Sequence, residues 1–276
     1  MTTIAIIGAG AMGSAIARRL HGNGCTVPTF LAGRSEETRA RAADAGMTDA
    51  SPEEIGRAKL ILSIVPPAQA QAVVEALAPV FATGNAPPFC DANALAPDTK
   101  RQLAARVAEL GGRMVDGSII GSPPSDSYAG PHLYFAGEGA EEFAGLREFG
   151  LRTAVLSGPL GAAAALKMCY GGINKGIIGL TTAMLLAAQR HGAAEDLRAE
   201  MGMSMQWLLE RQRGSIPSMY PKAYRWDAEM HEIAAFLAEG DPAAAKIWEG
   251  LGEFFTDRAA AHEAGEELAG LARLLG

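Results

Sequence analysis

The sequence predicts a doubly wound parallel α/β sheet followed by an all-α domain, the two joined by a long helix. Three observations predict it. Short apolar runs alternate with helical patterns up to about residue 158, as a parallel sheet with crossover helices requires. From Gly161 onward strand patterns stop and helical periodicities take over. The first apolar run ends in a glycine-rich turn that opens directly into a helix. The expected domains are residues 1–160 and 161–276.

Ile4, Ala5, Ile6 and Ile7 make the first strand, and the chain continues Gly8-Ala9-Gly10-Ala11-Met12-Gly13. Met12, Ile16, Ala17 and Leu20 then recur at helical spacing. Strand, glycine turn and helix together form the context a dinucleotide-binding fingerprint needs. Gly8 permits the sharp turn, Gly10 leaves room for a pyrophosphate, and Gly13 lets the helix pack on the strand. The free N–H groups and positive end of the helix face the phosphates. The first domain is therefore expected to be of the Rossmann type, with residues 8–13 around the cofactor.

A second strand, residues 25–31, ends at Ala32-Gly33-Arg34-Ser35. NAD-binding domains commonly place a carboxylate here, about 20 residues past the glycine turn, on the ribose 2′-hydroxyl. This strand end carries Arg34 and Ser35 instead. A guanidinium and a hydroxyl suit a 2′-phosphate, so NADP(H) is expected, with NAD(H) as the lesser alternative. Ser35 also reads as the N-cap of a helix with Glu36 and Glu37 in its first turn.

That helix spans residues 35–45 and stops at Gly46. Ser51-Pro52-Glu53-Glu54 is a helix start. Residues 59–65 form a buried strand closed by Pro66-Pro67, and residues 69–77 a helix. A strand ends at Asp91-Ala92-Asn93, a helix covers 97–110, and a strand covers 113–116. Residues 117–124, Gly-Ser-Ile-Ile-Gly-Ser-Pro-Pro, read as a loop, and 132–137 and 154–156 as further short strands. In the second half, helices are expected over 162–190, 193–213, about 220–239, 243–261 and 265–274.

Composition narrows the function classes. Hydrophobic residues make up 49% and charged residues 20% of 276, a globular balance. The net charge of −7 and the lack of a basic stripe disfavour nucleic acid as a partner. Cys25, Cys90 and Cys169 are odd in number and widely spaced. They suggest neither a disulfide framework nor a metal site, and suit a reducing cytoplasm. No signal peptide is expected. The apolar stretch 176–188, bounded by Lys175 and Arg190, is too short to span a bilayer, so no membrane partner is expected.

Ligands of open α/β sheets gather at the carboxyl ends of strands. Residues 8–13 and Val65-Pro66 are expected at the cofactor. Asn93 is expected near a nicotinamide or substrate carbonyl, although an Asx-turn role suits it equally. The small residues of 117–124 allow close approach of a ligand to backbone N–H groups, with Ser118 and Ser122 adding hydroxyls. At the junction of the halves, Lys167 lies early in a long apolar helix. It is either snorkelling to solvent or aimed at a reacting group. Asn174 lies roughly 20° from its face and Lys175 about 80° further round. An ammonium beside a carbonyl stabilises developing oxyanion charge and supplies a proton.

These motifs resemble the β-hydroxyacid dehydrogenase superfamily, which includes 3-hydroxyisobutyrate and 6-phosphogluconate dehydrogenases and the imine reductases. The resemblance rests on G-A-G-A-M-G, V-P-P at Val65, D-A-N-A-L-A-P at Asp91, D-G-S-I-I-G-S-P-P at Asp116, and G-x-x-x-x-x-K ending at Lys167. The stretch A-L-K-M-C-Y-G-G-I-N-K-G is similar to a C-terminal domain of poorly characterised phosphogluconate-dehydrogenase-like proteins. The resemblance implies an active site between the domains, a homodimer formed through the helical domains, and Lys167 as general acid/base in hydride transfer to a small, anionic substrate.

Two positions depart from the pattern. The family's substrate-binding serine falls at Ile120, beside Gly121, and the asparagine four residues after the lysine falls at Gly171. Ser122, Asn174 or Lys175 is expected to take over. Imine reduction is the main alternative; the retained lysine favours carbonyl chemistry. A non-catalytic NADP(H) sensor is the third reading.

Overall fold

The computed structural model describes residues 1–125 and 127–275. The chain divides into two compact units, Met1–Lys167 and Met168–Gly276.

The first unit opens with β1 (Thr2–Ile7), α1 (Ala11–Gly22), β2 (Cys25–Thr29), α2 (Glu36–Asp44), β3 (Met47–Asp49), α3 (Pro52–Ile55) and β4 (Leu60–Ser63). A 3-10 turn, Pro67–Gln69, leads into α4 (Ala70–Ala76) and α5 (Ala78–Phe81). Then come β5 (Phe89–Asp91), α6 (Pro97–Glu109), β6 (Met114–Ile120), β7 (His132–Ala136), α7 (Ala140–Ala144) and β8 (Arg152–Val155). The sheet order is β3-β2-β1-β4-β5-β6-β7-β8. The order reverses between β1 and β4, and a ligand crevice opens at such a point.

The sheet is buried on both faces, which is why its central strands read as continuous apolar runs. Alternation sends Ile4, Ile6, Leu60 and Leu62 to one face, packed with Ile16 and Leu20. Ala5, Ile7 and Ile61 go to the other, with Val73, Val74 and Phe81. The Ser51 helix start is a full capping box. Ser51 Oγ accepts from Glu54 N at 3.3 Å, and Glu54 Oε2 accepts from Ser51 N at 2.7 Å.

Three features depart from the sequence expectation. β3 was not foreseen, because three residues are too few to show a period. The sheet is mixed: β7 runs antiparallel to β6, and β8 parallel to β7. Most importantly, residues 117–120 are strand and not loop, with Gly117 opposite Phe135 and Ile120 opposite His132. Gly117 serves packing here, since a Cβ would stand 2.5 Å from Cys90 Sγ.

Helix α8 (Ala162–Arg190) begins in the first unit and runs into the second. It is followed by α9 (Ala194–Ser204), α10 (Gln206–Met219), a 3-10 turn at Tyr220–Lys222, α11 (Ala223–Ala238), α12 (Pro242–Ala264) and α13 (Glu266–Leu275). The expected helix over 193–213 is two helices, parted at Met205, and Gly214 and Pro217 lie inside α10. A proline so near a helix end removes a single hydrogen bond where the ladder is already finishing. By length and composition α8, at 29 residues, is apolar enough to cross a membrane. Ile178 and Leu185 are nonetheless buried in the helical core with Trp226, Met230 and Phe255, as in a core helix.

Candidate active site

β1 delivers the glycine turn to the switch point. Ile7 pairs with Ser63, and Ile64 N donates to Ile7 O at 2.8 Å. Gly8 has φ +119°, a region that favours glycine, and a Cβ there would strike Ile64 O. At Gly13 a Cβ would strike Gly8 O. The turn and the first turn of α1 are thus in backbone contact. Gly10 differs: a Cβ there would meet nothing within 4 Å. No side chain caps α1 at Gly10. An uncapped helix start with open space over a glycine fits a pyrophosphate. Ala9 is buried, its carbonyl accepting from Arg41 Nη1 at 3.3 Å, while Ala11 is exposed and Met12 half-buried.

The loop after β2 borders a cleft of about 600 Å³ lined by Phe30, Ala32, Gly33, Arg34, Ser51 and Gln69, among others. Such a volume suits a cofactor-sized ligand. Arg34 is exposed, with Nη1 3.4 Å from Gln69 Oε1. Ser35 caps α2, accepting from Thr38 N at 3.3 Å, and its Oγ lies 3.0 Å from Thr38 Oγ1. Asp49, a carboxylate held against this loop, accepts from Leu31 N at 2.9 Å and pairs with Arg39 at 3.6 Å. Arg39 in turn donates to Leu31 O at 2.6 Å and Arg34 O at 3.3 Å. Gln69, Arg39 and Asp49 escaped the sequence reading, since they come from three separate elements and join only through the fold.

Past β4, Val65 N donates to Asn93 Oδ1 at 2.6 Å, with Pro66 following. Asn93 Nδ2 donates to Ser63 Oγ at 3.2 Å and to Asp91 Oδ2. Asn93 is 3% exposed. Its amide is engaged inside the protein and orients the Val65 backbone.

A buried charge array underlies this edge. Lys100 Nζ lies 2.5 Å from Asp91 Oδ1, 2.5 Å from Asp91 O and 3.0 Å from Gly117 O. It is 3.5 Å from Asp116 Oδ1. The other oxygen of Asp116 accepts from the N–H groups of Gly161 (3.0 Å), Ala163 (2.8 Å) and Ala164 (3.1 Å), which open α8. Burial, chiefly, pushes the neighbouring Cys90 thiol well above its ordinary range, so it stays protonated. Lys167 is half-buried, one turn beyond the capped residues.

The strand placement of 117–120 buries Ser118, whose Oγ finds no hydrogen-bond partner among the described residues. Ile120 is half-buried, and Gly121 (φ +127°) and Ser122 are exposed at the strand end. In the second unit Asn174 Oδ1 accepts from Arg211. Lys175 pairs with Glu229 at 2.7 Å, and its ammonium lies 5.4 Å from the Trp226 ring centre. A Cβ at Gly171 would stand 3.9 Å from Lys175 Nζ. Lysines on helices lean toward the N-terminus, so Lys175 covers the turn that contains Gly171.

A switch-point glycine turn, an uncapped helix start and a cofactor-sized cleft define a dinucleotide-binding unit, and the family match makes the protein a nicotinamide-dinucleotide-dependent oxidoreductase. The chain belongs to the family that carries the NAD binding domain of 6-phosphogluconate dehydrogenase, which matches residues 3–149. Residues 188–258 match a domain of unknown function, DUF1932. No curated protein matches the sequence.

Among solved structures, the chain is similar to a conserved protein of unknown function described as structurally similar to 3-hydroxyacid dehydrogenases. The TM-score is 0.81 at 28% identity, over 95% of this chain and 99% of that one. A Mycobacterium tuberculosis 3-hydroxyisobutyrate dehydrogenase with L-serine gives a TM-score of 0.75 at 17% identity, over 98% and 99%. A Streptomyces aurantiacus imine reductase gives 0.57 at 20% identity, over 98% and 99%.

Proposed function

We propose that the protein is an NADP(H)-dependent dehydrogenase or reductase that interconverts a small anionic hydroxy acid, or a related alcohol, with its carbonyl form. The observation that carries this reading is the placement of Lys167. It sits one turn into a helix whose start is fastened by Asp116 to the same sheet edge that forms the glycine turn and the Val65 backbone.

When bound, the nicotinamide supplies or accepts the hydride. Lys167 donates its Nζ proton to the carbonyl oxygen in reduction and takes the hydroxyl proton in oxidation. Its positive charge stabilises the oxyanion between. Ser122, exposed at the end of β6, binds the anionic end of the substrate. Ile120 and Gly121 line the substrate, with Ile120 presenting an apolar side chain where the family carries a serine hydroxyl. A homodimer suits the exposed Ile173, Leu180 and Met184 of α8, and the unpaired thiols suit the cytoplasm.

Purified protein with NADPH and a panel of keto acids and cyclic imines tests the reaction class. Turnover of keto acids is expected. Turnover of imines alone assigns C=N reduction instead, and cofactor binding without any turnover assigns a sensor.

Cofactor preference rests on Arg34 and Ser35 at the mouth of the 600 Å³ cleft. Arg34→Ala is expected to raise KM for NADPH by about 10- to 100-fold, the worth of a hydrogen bond to a charged group, and to leave KM for NADH near its wild-type value. An equal effect on both cofactors removes Arg34 from 2′-phosphate recognition.

A further inference from the structure

Asp91, Lys100 and Asp116 are completely buried. One ammonium and two carboxylates are an expensive cluster to desolvate, and apolar replacements of such clusters are often neutral or stabilising. What the cluster supplies is connection. Lys100, on α6, grips the end of β5 through Asp91 and the middle of β6 through Gly117 O. Asp91 also accepts from Asn93, and Asn93 Oδ1 accepts from Val65 N, which follows β4. On the opposite side Asp116 Oδ2 accepts three N–H groups from the start of α8. A carboxylate is favoured at a helix N-terminus, yet this one arrives from a strand 45 residues earlier in the chain. A local Ser or Asp cap satisfies the same N–H groups without fixing where the helix points.

We propose that Asp116 and Lys100 are positioning residues: the buried Asp91–Lys100–Asp116 array registers the first turn of α8, and with it Lys167, against the Asn93–Val65 edge at the carboxyl ends of β4 and β5. This rests on the reading of Lys167 as the acid/base. The array sets the direction of the helix start, and Lys167 Nζ follows from it.

The test compares wild type with Asp116→Ala, Asp116→Asn and the double variant Asp91→Asn/Lys100→Met, which removes one charge of each sign. The primary readout is the pH dependence of Lys167 acylation in competitive labelling with NADPH present, with Lys59 and Lys222 as internal controls. Asp116→Ala is expected to shift the Lys167 profile and to lose amide-exchange protection at Ala163 and Ala164, with both controls unmoved. Asp116→Asn is expected to recover most of both, because its amide oxygen still accepts from α8. The double variant is expected to fold and to shift the profile as well.

On any substrate that wild type turns over, Asp116→Ala is expected to lower kcat by about 100-fold, the cost of a misplacement near 1 Å, with KM for NADPH within about twofold. A wild-type Lys167 profile in folded Asp116→Ala and in the double variant overturns the proposal. Should Asp116→Ala not fold, a wild-type profile in the double variant does so alone. If wild type turns over nothing, the assignment of function fails, and the labelling profiles still decide whether the array sets Lys167.

Discussion

Lys167→Ala is expected to bind NADPH as wild type does and to lose about 10²- to 10⁴-fold in turnover, the usual contribution of a positioned general acid. Lys167 lies on α8 and does not line the cleft beside Arg34, so cofactor affinity and turnover are read separately. Lys167→Arg refines the test. A guanidinium keeps the positive charge but does not release its proton in this pH range. If proton transfer is the larger part, Arg behaves like Ala. If oxyanion stabilisation dominates, Arg recovers part of kcat. Wild-type turnover in Lys167→Ala, measured as NADPH oxidation with a keto acid, removes Lys167 from the mechanism.

The second large effect separates two glycines three residues apart. Gly13→Ala places a methyl against Gly8 O, a backbone atom with no side-chain freedom to yield. Helix α1 must lift from β1, at a cost of about 1–3 kcal/mol from overpacking alone, and cofactor affinity falls with the turn. Gly10→Ala has open space around it and a backbone, φ −73° and ψ −178°, that alanine adopts freely. Its folding cost is limited to the weaker N-cap preference of alanine, about 1 kcal/mol or less. Yet its methyl occupies the surface a pyrophosphate needs, so NADPH affinity is expected to fall about tenfold or more. Thermal unfolding and NADPH fluorescence titration together decide it. Gly10→Ala with full affinity moves the pyrophosphate elsewhere.

The first unit was legible where local signals are strong. Apolar runs marked β1 and β4, and the Ser51-Pro52-Glu53-Glu54 start announced α3. The loop expected over 117–124 begins only after Ile120, and the reason is physical. Gly117 and Ser118 look like loop residues, but their smallness answers to Cys90 Sγ and to burial inside the sheet. The antiparallel β7 partner that makes them strand lies beyond an intervening loop, and no local pattern shows it. Lys100 was hidden for a related reason. On α6 it reads as a solvated lysine beside Arg101, and only the fold brings Asp91 and Asp116 around it. The low helix propensity of Gly214 and Pro217 puts a break after residue 213, and the tertiary packing that keeps Ile216 and Met219 buried outweighs it.

The Asp116 cap also fixes where the sheet unit can be cut. A fragment ending at residue 160 keeps all eight strands but lacks Gly161, Ala163 and Ala164. Its Asp116 is left as a buried anion with neither oxygen hydrogen-bonded among the described residues, facing Lys100 at 3.5 Å. The shortest autonomous piece therefore carries the opening turns of α8 with it. In covalent terms the sheet unit, which ends at Lys167, owns the lysine proposed as the acid.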